Sequence, residues 1–258
     1  MNRTGLICAL TIAVLTGVVF GFYPELDLLI ARPFYAVSDA AQSTFAWRFY
    51  QPLLHARGIG LWIAAVPVVV AVWALAIKLI SPRRRLLMPG RAVVFLIATM
   101  ILGPGLMANA ILKEHWGRSR PIDVTQFGGK EHFVAWWDPR GDCPGNCSFV
   151  SGDVAGTFWT IAPAALAPPQ WRALAYGAAL AFGTAIAVLR VMAGAHFPSD
   201  VIFAGIFTFL IIWIVYALIY RWPRTRLSDD AVDRALTRHS LPAYDFIVGL
   251  FARDQKAK

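Results

Sequence analysis

The sequence predicts an all-α, polytopic membrane protein with six transmembrane helices, and its composition and charge distribution support this class. Of the 258 residues, 58% are hydrophobic and only 15% are charged, and the mean hydropathy is +0.57. An ordinary soluble domain has about 25% charged residues. The net charge of +9 is concentrated between the apolar runs. It therefore indicates topology determinants and contact with anionic lipid, and it argues against a nucleic-acid-binding protein.

Six apolar runs are the candidate membrane spans. Their approximate limits are 5–22, 58–80, 92–112, 154–167, a fifth run that follows the turn at 168–172 and ends near Arg190, and 201–220. A run of about 20 apolar residues can cross the hydrocarbon core. Within the third run, Pro104 and its flanking glycines predict a kinked or loosened helix, because proline removes a backbone donor. Residues 25–57 are predicted to form a loop on the membrane surface.

The positions of the basic residues predict the orientation of the chain. Arg3, Arg172 and the basic turns at 83–91 and 221–226 fall on one side of the spans, which the positive-inside rule makes cytoplasmic. Both termini are then cytoplasmic, and the loops at 25–57, 113–151 and 193–199 face outward. We expect residues 1–226 to form the six-helix domain. Residues 227–258 are polar with scattered apolar positions, which predicts an amphipathic cytoplasmic tail.

The three cysteines fall in two different environments. Cys8 lies inside the first apolar run, whereas Cys143 and Cys147 bracket a tight Pro-Gly-Asn turn in the predicted outer loop. A disulfide between Cys143 and Cys147 is expected in an oxidising compartment, with free thiols as the alternative. No further cysteine or histidine stands at zinc spacing, so we expect no metal site.

Three polar clusters fall on the predicted outer face, and the first is residues 113–121. Lys113 and Arg120 are seven residues apart, so a helical path would point both side chains the same way. The alternative is an interfacial anchor, in which the two basic side chains reach toward lipid headgroups.

The second cluster is residues 148–153 at the start of the fourth run, which include Ser148, Ser151, Gly152 and Asp153. A serine followed by glycine at a helix start offers a hydroxyl and free backbone amides to an anion. The alternative is plain helix capping by Ser151, with Asp153 favourably placed against the helix dipole.

The third cluster runs from Arg190 to Asp200. His196 and Asp200 are four residues apart and would share a face if the turn between them were helical. A carboxylate bound to an imidazole fixes its tautomer and stabilises its positive form. Arg190 nearby suggests an anionic substrate, most naturally a phosphate.

The three clusters together resemble the three-part signature of the type 2 phosphatidic acid phosphatase superfamily. The residues that carry the resemblance are Lys113-x6-Arg120-Pro121, then Ser151-Gly152, then Arg190-x5-His196-x3-Asp200. It covers residues 113–200 directly, and the predicted six-span layout extends it over most of the chain. The superfamily also includes vanadium haloperoxidases and bacterial acid phosphatases. A haloperoxidase is disfavoured here because the site lies among membrane spans.

The resemblance implies a metal-independent and cofactor-independent reaction through a phosphohistidine. Lys113, Arg120 and Arg190 would bind the phosphate oxygens, and Ser151 and the Gly152 amide would complete the cradle. His196 would attack phosphorus, Asp200 would hold His196, and water would then hydrolyse the phosphohistidine. Phosphoryl transfer needs mainly positioning and charge stabilisation, which this set of residues offers.

The sequence departs from the family pattern at two positions. Leu189 stands where members usually carry serine, and Asp153 stands where they usually carry the histidine that protonates the leaving group. A bound anion should raise the pKa of Asp153, so a protonated Asp153 is one candidate acid. His115 or His132 in the outer loop are the others. A leaving group that needs little protonation and an inactive homologue are further alternatives.

The function that the resemblance implies is an inner-membrane lipid phosphatase of bacteria with its active site facing the periplasm. The substrate expected is lipid A, at its 1- or 4'-phosphate, and the alternatives are undecaprenyl pyrophosphate and phosphatidylglycerophosphate. A transferase would pass the same phosphate to another lipid. A non-enzymatic lipid-binding or transport protein is the alternative of another class. The sequence indicates membrane lipid as the partner and shows no sign of a protein partner.

Overall fold

The computed structural model describes residues 1–36 and 44–254, with side chains described as far as residue 246, and it is almost entirely helical. Its α-helices are α1 (Arg3–Phe22), α2 (Glu25–Ala31), α3 (Gln51–Ile80), α4 (Gly90–Met100), α5 (Lys113–His115), α6 (Gly152–Phe158), α7 (Ile161–Ala165), α8 (Pro169–Met192), α9 (Pro198–Tyr216) and α10 (Asp229–Asp254). The all-α class predicted from the sequence is confirmed.

Five helical segments of the described chain are long and apolar enough to cross a membrane. They are Arg3–Phe22, Gln51–Ile80, Gly90–His115, Pro169–Met192 and Pro198–Arg221. Their mean hydropathies of 1.7 to 2.6 reflect runs of Leu, Ile, Val and Ala with few charges. They correspond to five of the six runs expected from the sequence. The chain is therefore a polytopic membrane protein.

The remaining predicted span, 154–167, is divided into the two short helices α6 and α7. Pro163 lies in α7 and cannot donate a backbone hydrogen bond to the preceding turn. Between the two helices, the Thr160 hydroxyl donates to the Thr157 carbonyl at 2.6 Å. From Gly152 to Ala165 the helical rise amounts to about 21 Å, less than the roughly 30 Å of the hydrocarbon core. This segment is not a single spanning helix, so the count of six spans stays a prediction.

The third long helix changes its winding where the sequence predicts a loosened segment. After α4, residues Ile101–Leu112 form a π-helix, and the short α5 continues it to His115. Pro104 cannot donate to the preceding turn, and its own carbonyl accepts a bond of 2.6 Å from Asn109 Nδ2. The prediction of a loosened helix is confirmed. The change of winding immediately precedes Lys113.

The predicted surface loop 25–57 contains regular structure in its described part. Beyond α2, the strands β1 (Tyr35–Ala36) and β2 (Thr44–Phe45) pair antiparallel, with Tyr35 opposite Phe45. Residues 37–43 lie outside the described chain. The helix α3 begins at Gln51 instead of at 58, so the end of the predicted loop is helical.

The chain divides into two compact units, of which the first comprises residues 1–65 and 99–213. Its core is rich in aromatic side chains, since Phe149 packs against Trp116, Trp136 and Phe203 with ring centroids 5.0 to 6.1 Å apart. Small residues of α6, α8 and α9 fill the same cluster and bring these helices close together. A rigid framework therefore surrounds the polar clusters, all of which lie in this unit.

The second unit comprises residues 66–98 and 214–258 and contains the C-terminal helix. Lys78, buried near the end of α3, lies 3.0 Å from Asp233 of α10. Arg91 and Arg83 pair with Asp229 and Asp245 of the same helix. The basic turn that the sequence analysis interpreted as a topology determinant thus also holds α10. The separate domain at 227–258, its amphipathic character and its place on the inner leaflet stay predictions, and residues 255–258 lie outside the described chain.

Candidate active site

The candidate site is formed where the three polar clusters of the sequence meet in the first unit. Lys113 at the end of the third long helix lies within electrostatic range of Arg120, Asp153 and Arg190. His196, on the turn between α8 and α9, lies within range of Lys113, Arg120 and Arg190. The structure therefore collects positive charge from three distant segments around one histidine.

His196 is held by the main chain in one tautomer. Gly194, with φ of 65°, makes the left-handed turn that ends α8 and carries the chain toward His196. The Nδ1 atom of His196 lies 2.7 Å from the carbonyl oxygen of Ser148. Because a carbonyl oxygen can only accept, Nδ1 carries the hydrogen and Nε2 keeps its lone pair.

The surroundings of His196 favour its neutral form. The side chain is buried, and burial lowers the pKa of the imidazole well below its ordinary value. The positive charges of Arg190 and Arg120 act in the same direction and outweigh the hydrogen bond to Ser148. A neutral imidazole with a free Nε2 lone pair is the form that can attack phosphorus.

The direct pairing of His196 with Asp200 that the spacing predicts is wrong. Residues 193–197 are not helical, and α9 begins only at Pro198. His196 and Asp200 therefore do not share a helix face. Asp200 Oδ2 instead accepts from Ser148 Oγ at 2.5 Å and from the Phe197 amide at 2.8 Å. Asp200 thus holds Ser148, and the carbonyl of Ser148 holds His196.

A buried arginine joins Asp200 to a second carboxylate. Arg118 Nη1 lies 2.5 Å from Asp200 Oδ1, and its Nη2 lies 2.7 Å from Asp27 Oδ2 of α2. Ser199 links the same groups, since its hydroxyl donates to Asp27 at 2.6 Å and accepts from Arg118 at 2.8 Å. All three charged side chains are fully buried, so each depends on the others for its charge balance.

Two buried donors at the site have no hydrogen-bond partner in the described chain. Ser151 occupies the cap position of α6, but its side chain caps nothing and its Oγ is unpartnered. Arg190 Nε lies 3.2 Å from Asp153 Oδ2 without forming a hydrogen bond. A buried polar group without a partner is costly, and a phosphate oxygen at this position would satisfy both donors. The plain capping alternative for Ser151 is therefore not what the structure shows.

Gly152 begins α6 in close contact with the third long helix. A side-chain carbon at this position would overlap Asn109 Oδ1. Only glycine therefore lets the start of α6 approach so closely, and its backbone amide is one of those at the helix start without an intrahelical partner.

The disulfide loop orients two of the predicted phosphate-binding residues. Cys143 and Cys147 are joined by a disulfide bond. The Cys147 amide donates to the Lys113 carbonyl at 2.7 Å, and Arg120 donates to the carbonyl and the side-chain oxygen of Asn146 at 2.6 and 2.8 Å. The loop therefore ties both ends of the first cluster to one rigid turn.

Asp153 forms ion pairs with two arginines. Its Oδ2 lies 2.5 Å from Arg57 Nε and 3.2 Å from Arg190 Nε. Burial opposes ionisation of Asp153, but the Arg57 hydrogen bond and the charges of Arg190 and Lys113 outweigh it and hold its pKa below the usual range. Without a bound anion the site therefore favours an ionised Asp153, and the expectation that a bound anion raises its pKa stays a prediction.

The other two candidate acids, His115 and His132, have exposed side chains. His132 binds Asp142, with its Nδ1 2.8 Å from Oδ2, and its side chain is 81% exposed. His115 is exposed on α5. Among the described residues, no group of three or more histidine, cysteine, aspartate or glutamate side chains could hold a metal ion.

Sequence reasoning missed four residues of this arrangement. Arg118 lies inside the first cluster but was not singled out, and Ser148 was passed over beside Ser151. Asp27 and Arg57 were both placed in the surface loop. The one signal available was the position of Arg118, two residues before the predicted phosphate-binding Arg120, since an arginine that is buried at such a place needs a partner.

Comparisons with known proteins identify the family of the chain and several relatives. The model of the PAP2 superfamily matches residues 92–224 of the chain. A lipid A 4'-phosphatase from Francisella tularensis subsp. novicida (strain U112) is 34% identical over 224 residues, which is 86% of this chain and 98% of that protein. A lipid A 4'-phosphatase from Rhizobium leguminosarum is 29% identical over 210 residues, 78% of this chain and 90% of that protein. No solved structure matches the chain significantly.

The match to the family model extends over more than half of the chain, and the similarity to the Francisella protein extends over most of it. The chain belongs to the PAP2 superfamily.

Proposed function

We propose that the chain is a lipid A 4'-phosphatase of the bacterial inner membrane, with its active site on the periplasmic face. The family supports the reaction, and the names of the two relatives that match most of the chain support the substrate. The observation that carries the proposal is the state of His196, which is neutral, oriented by Ser148 and surrounded by three cations. This is the arrangement that a nucleophile for a phosphate dianion requires.

The first step transfers the phosphate to the enzyme. His196 Nε2 attacks phosphorus in line with the sugar oxygen, a phosphorus–nitrogen bond forms and the phosphorus–oxygen bond breaks. Lys113, Arg120 and Arg190 stabilise the charge on the equatorial oxygens, and Ser151 Oγ and the Gly152 amide donate to them. The departing sugar oxygen takes a proton from a water molecule, which becomes hydroxide, because the arginines beside Asp153 favour its ionised form.

The second step returns the enzyme to its starting form. A water molecule attacks the phosphohistidine, and the phosphorus–nitrogen bond breaks with its electron pair returning to Nε2. The proton that this water loses neutralises the hydroxide left by the first step, and inorganic phosphate leaves. The hydrogen stays on Nδ1 throughout and is donated to the Ser148 carbonyl. This hydrogen bond, together with the contacts of Asp200 that hold Ser148, stabilises the positive charge that develops on the imidazole.

The positive-inside rule supports the periplasmic placement. The site lies at the ends of the third long helix and α8, together with the Cys143–Cys147 disulfide. The basic turns at 83–91 and 221–226 lie at the opposite ends of their spans, and a disulfide belongs to an oxidising compartment. Both termini are then cytoplasmic.

The test is phosphate release by the purified protein without added divalent metal. We expect release from lipid A that carries both phosphates, with mass spectrometry showing loss at the 4' position, and no release by His196→Asn. The matched control is His239→Asn, which changes a histidine of the second unit and should retain full activity. Loss at the 1 position, or preference for undecaprenyl pyrophosphate or phosphatidylglycerophosphate, would refute the substrate assignment.

A transferase is distinguished in the same assay. Phosphate that appears on an added acceptor lipid instead of in solution would show that the phosphohistidine passes its group to lipid rather than to water.

A further inference from the structure

Arg57 brings a fourth cation to the candidate site. It lies in the first two turns of α3, and its Nε donates to Asp153 Oδ2 at 2.5 Å. Arg190 approaches the same oxygen at 3.2 Å. Two guanidinium groups therefore converge on one carboxylate oxygen, as they converge on a phosphate oxygen in anion sites.

The side chain of Arg57 keeps donors available for a ligand. In the part of the chain that the structure describes, Nε is the one donor of Arg57 with a hydrogen-bond partner, although a guanidinium has five N–H groups. Its side chain is 35% exposed, whereas that of Arg190 is 14% exposed. The two Nη groups of Arg57 can therefore bind an oxygen without breaking the pair with Asp153.

The count of charges at the candidate site explains why a fourth cation is needed there. Lys113, Arg120 and Arg190 supply three positive charges, and the ionised Asp153 cancels one of them. A phosphate monoester carries two negative charges and accumulates its charge on the oxygens in the transition state. Arg57 restores the charge that Asp153 removes, and a chain with a neutral residue at position 153 would not need it.

We propose that Arg57 is a further phosphate-binding residue of this site and that Arg57 and Asp153 act as one unit. Asp153 fixes Arg57 beside Arg190, and the free Nη groups of Arg57 bind a phosphate oxygen. The assignment of a substrate phosphate rests on the proposed function, but the binding of a phosphate anion does not. The binding of inorganic phosphate and the release of phosphate from lipid A are therefore tested separately.

The experiment measures inorganic phosphate binding to the purified protein in detergent and, in parallel, phosphate release from lipid A. The variants are Arg57→Gln, Asp153→Asn and the double variant. The matched control is Arg140→Gln, which removes an arginine paired with Asp138 in the outer loop, where the Arg140 side chain is 80% exposed. Thermal unfolding of each variant reports whether the fold is kept.

We expect Arg57→Gln to weaken phosphate binding by about tenfold or more, because it leaves the Asp153 carboxylate unpaired beside the anion. Asp153→Asn should tighten phosphate binding by roughly threefold or more, since it removes a negative charge. The double variant should bind phosphate about as tightly as the wild type, because without the unpaired carboxylate Arg57→Gln loses only its own contact; independent effects would leave it about threefold weaker than the wild type. Arg140→Gln should bind as the wild type does.

Two results would overturn the proposal: Arg57→Gln that binds phosphate like Arg140→Gln, or a double variant whose effect is the product of the two single effects. If Arg57→Gln does not fold, the double variant, which leaves no unpaired carboxylate at position 153, is compared with Asp153→Asn, and equal phosphate binding by these two would overturn the proposal. If the wild type binds phosphate as expected but releases none from lipid A, the proposed function fails and the role of Arg57 stands.

Discussion

The Nδ1 atom of His196 lies 2.7 Å from the carbonyl oxygen of Ser148, so the main chain, and not a carboxylate, sets the tautomer of the imidazole. The carboxylate acts one step further away, because Asp200 binds the Ser148 hydroxyl and the Phe197 amide. A backbone acceptor orients the ring without adding a full negative charge beside it. The positive charges of Arg190, Arg120 and Lys113 can then keep His196 neutral.

The ionisation of His196 gives the first prediction. Burial and the charges of Arg190 and Arg120 lower its pKa in the folded state, so the native imidazole stays neutral below about pH 6.5, where an unperturbed histidine becomes charged. Nitrogen NMR of the protein with labelled histidine should show the neutral Nδ1–H tautomer at pH 6. The chain has 5 histidines, and the spectrum of His196→Asn identifies the signal.

The lowered pKa of His196 also makes the stability of the protein depend on pH. The unfolded chain takes up a proton below about pH 6.5 and the native chain does not, so His196 reduces stability as the pH falls. A native His196 signal that titrates at or above about pH 6.5 would contradict this account of its environment.

The unpartnered hydroxyl of Ser151 gives the second prediction. Ser151→Ala should lower kcat/KM for phosphate release by roughly tenfold to a hundredfold, because one donor to the phosphate oxygens is lost. It should leave the unfolding temperature unchanged or slightly higher, since the hydroxyl makes no hydrogen bond in the described structure. Ser240→Ala, which removes a hydroxyl bonded to the Leu236 carbonyl in α10, is the control and should keep full activity. A fall in stability without a fall in activity would show that Ser151 is a structural cap.

The buried network around Arg118 gives the third prediction. Arg118→Leu leaves Asp27 and Asp200 buried without their counter-charge and should reduce the free energy of unfolding by about 3–5 kcal/mol. Asp27→Asn in the same background should recover part of the loss, because it removes one of the unpaired charges. Denaturant unfolding in detergent measures both. Equal stability of Arg118→Leu and the surface variant Arg140→Gln would contradict the network.

The sequence predicted the class of fold and the place of the chemistry because both depend on local patterns. Long apolar runs specify membrane helices, and Pro104 specifies the loosened third helix. The residues Lys113, Arg120, Ser151, Arg190 and His196 were found because their order and spacing resemble a family signature.

The partners of these residues were not predictable in the same way. Whether His196 meets Asp200 or Ser148 depends on the turn at Gly194, whose left-handed backbone is not evident from the spacing. Arg57 and Asp27 were missed because a helix start and a short helix lay within a segment that composition described as a loop. Their contacts join positions 91 and 96 residues apart along the chain, and no local pattern carries that information.

Direct trapping of the phosphorylated enzyme is the measurement that tests the central claim. Wild-type protein is mixed with radiolabelled lipid A 4'-phosphate and quenched within the first turnover. We expect label on the chain that is stable in alkali and labile in acid, located at His196 by mass spectrometry and absent in His196→Asn. Phosphate release without any labelled enzyme, or label on a residue other than His196, would contradict the account.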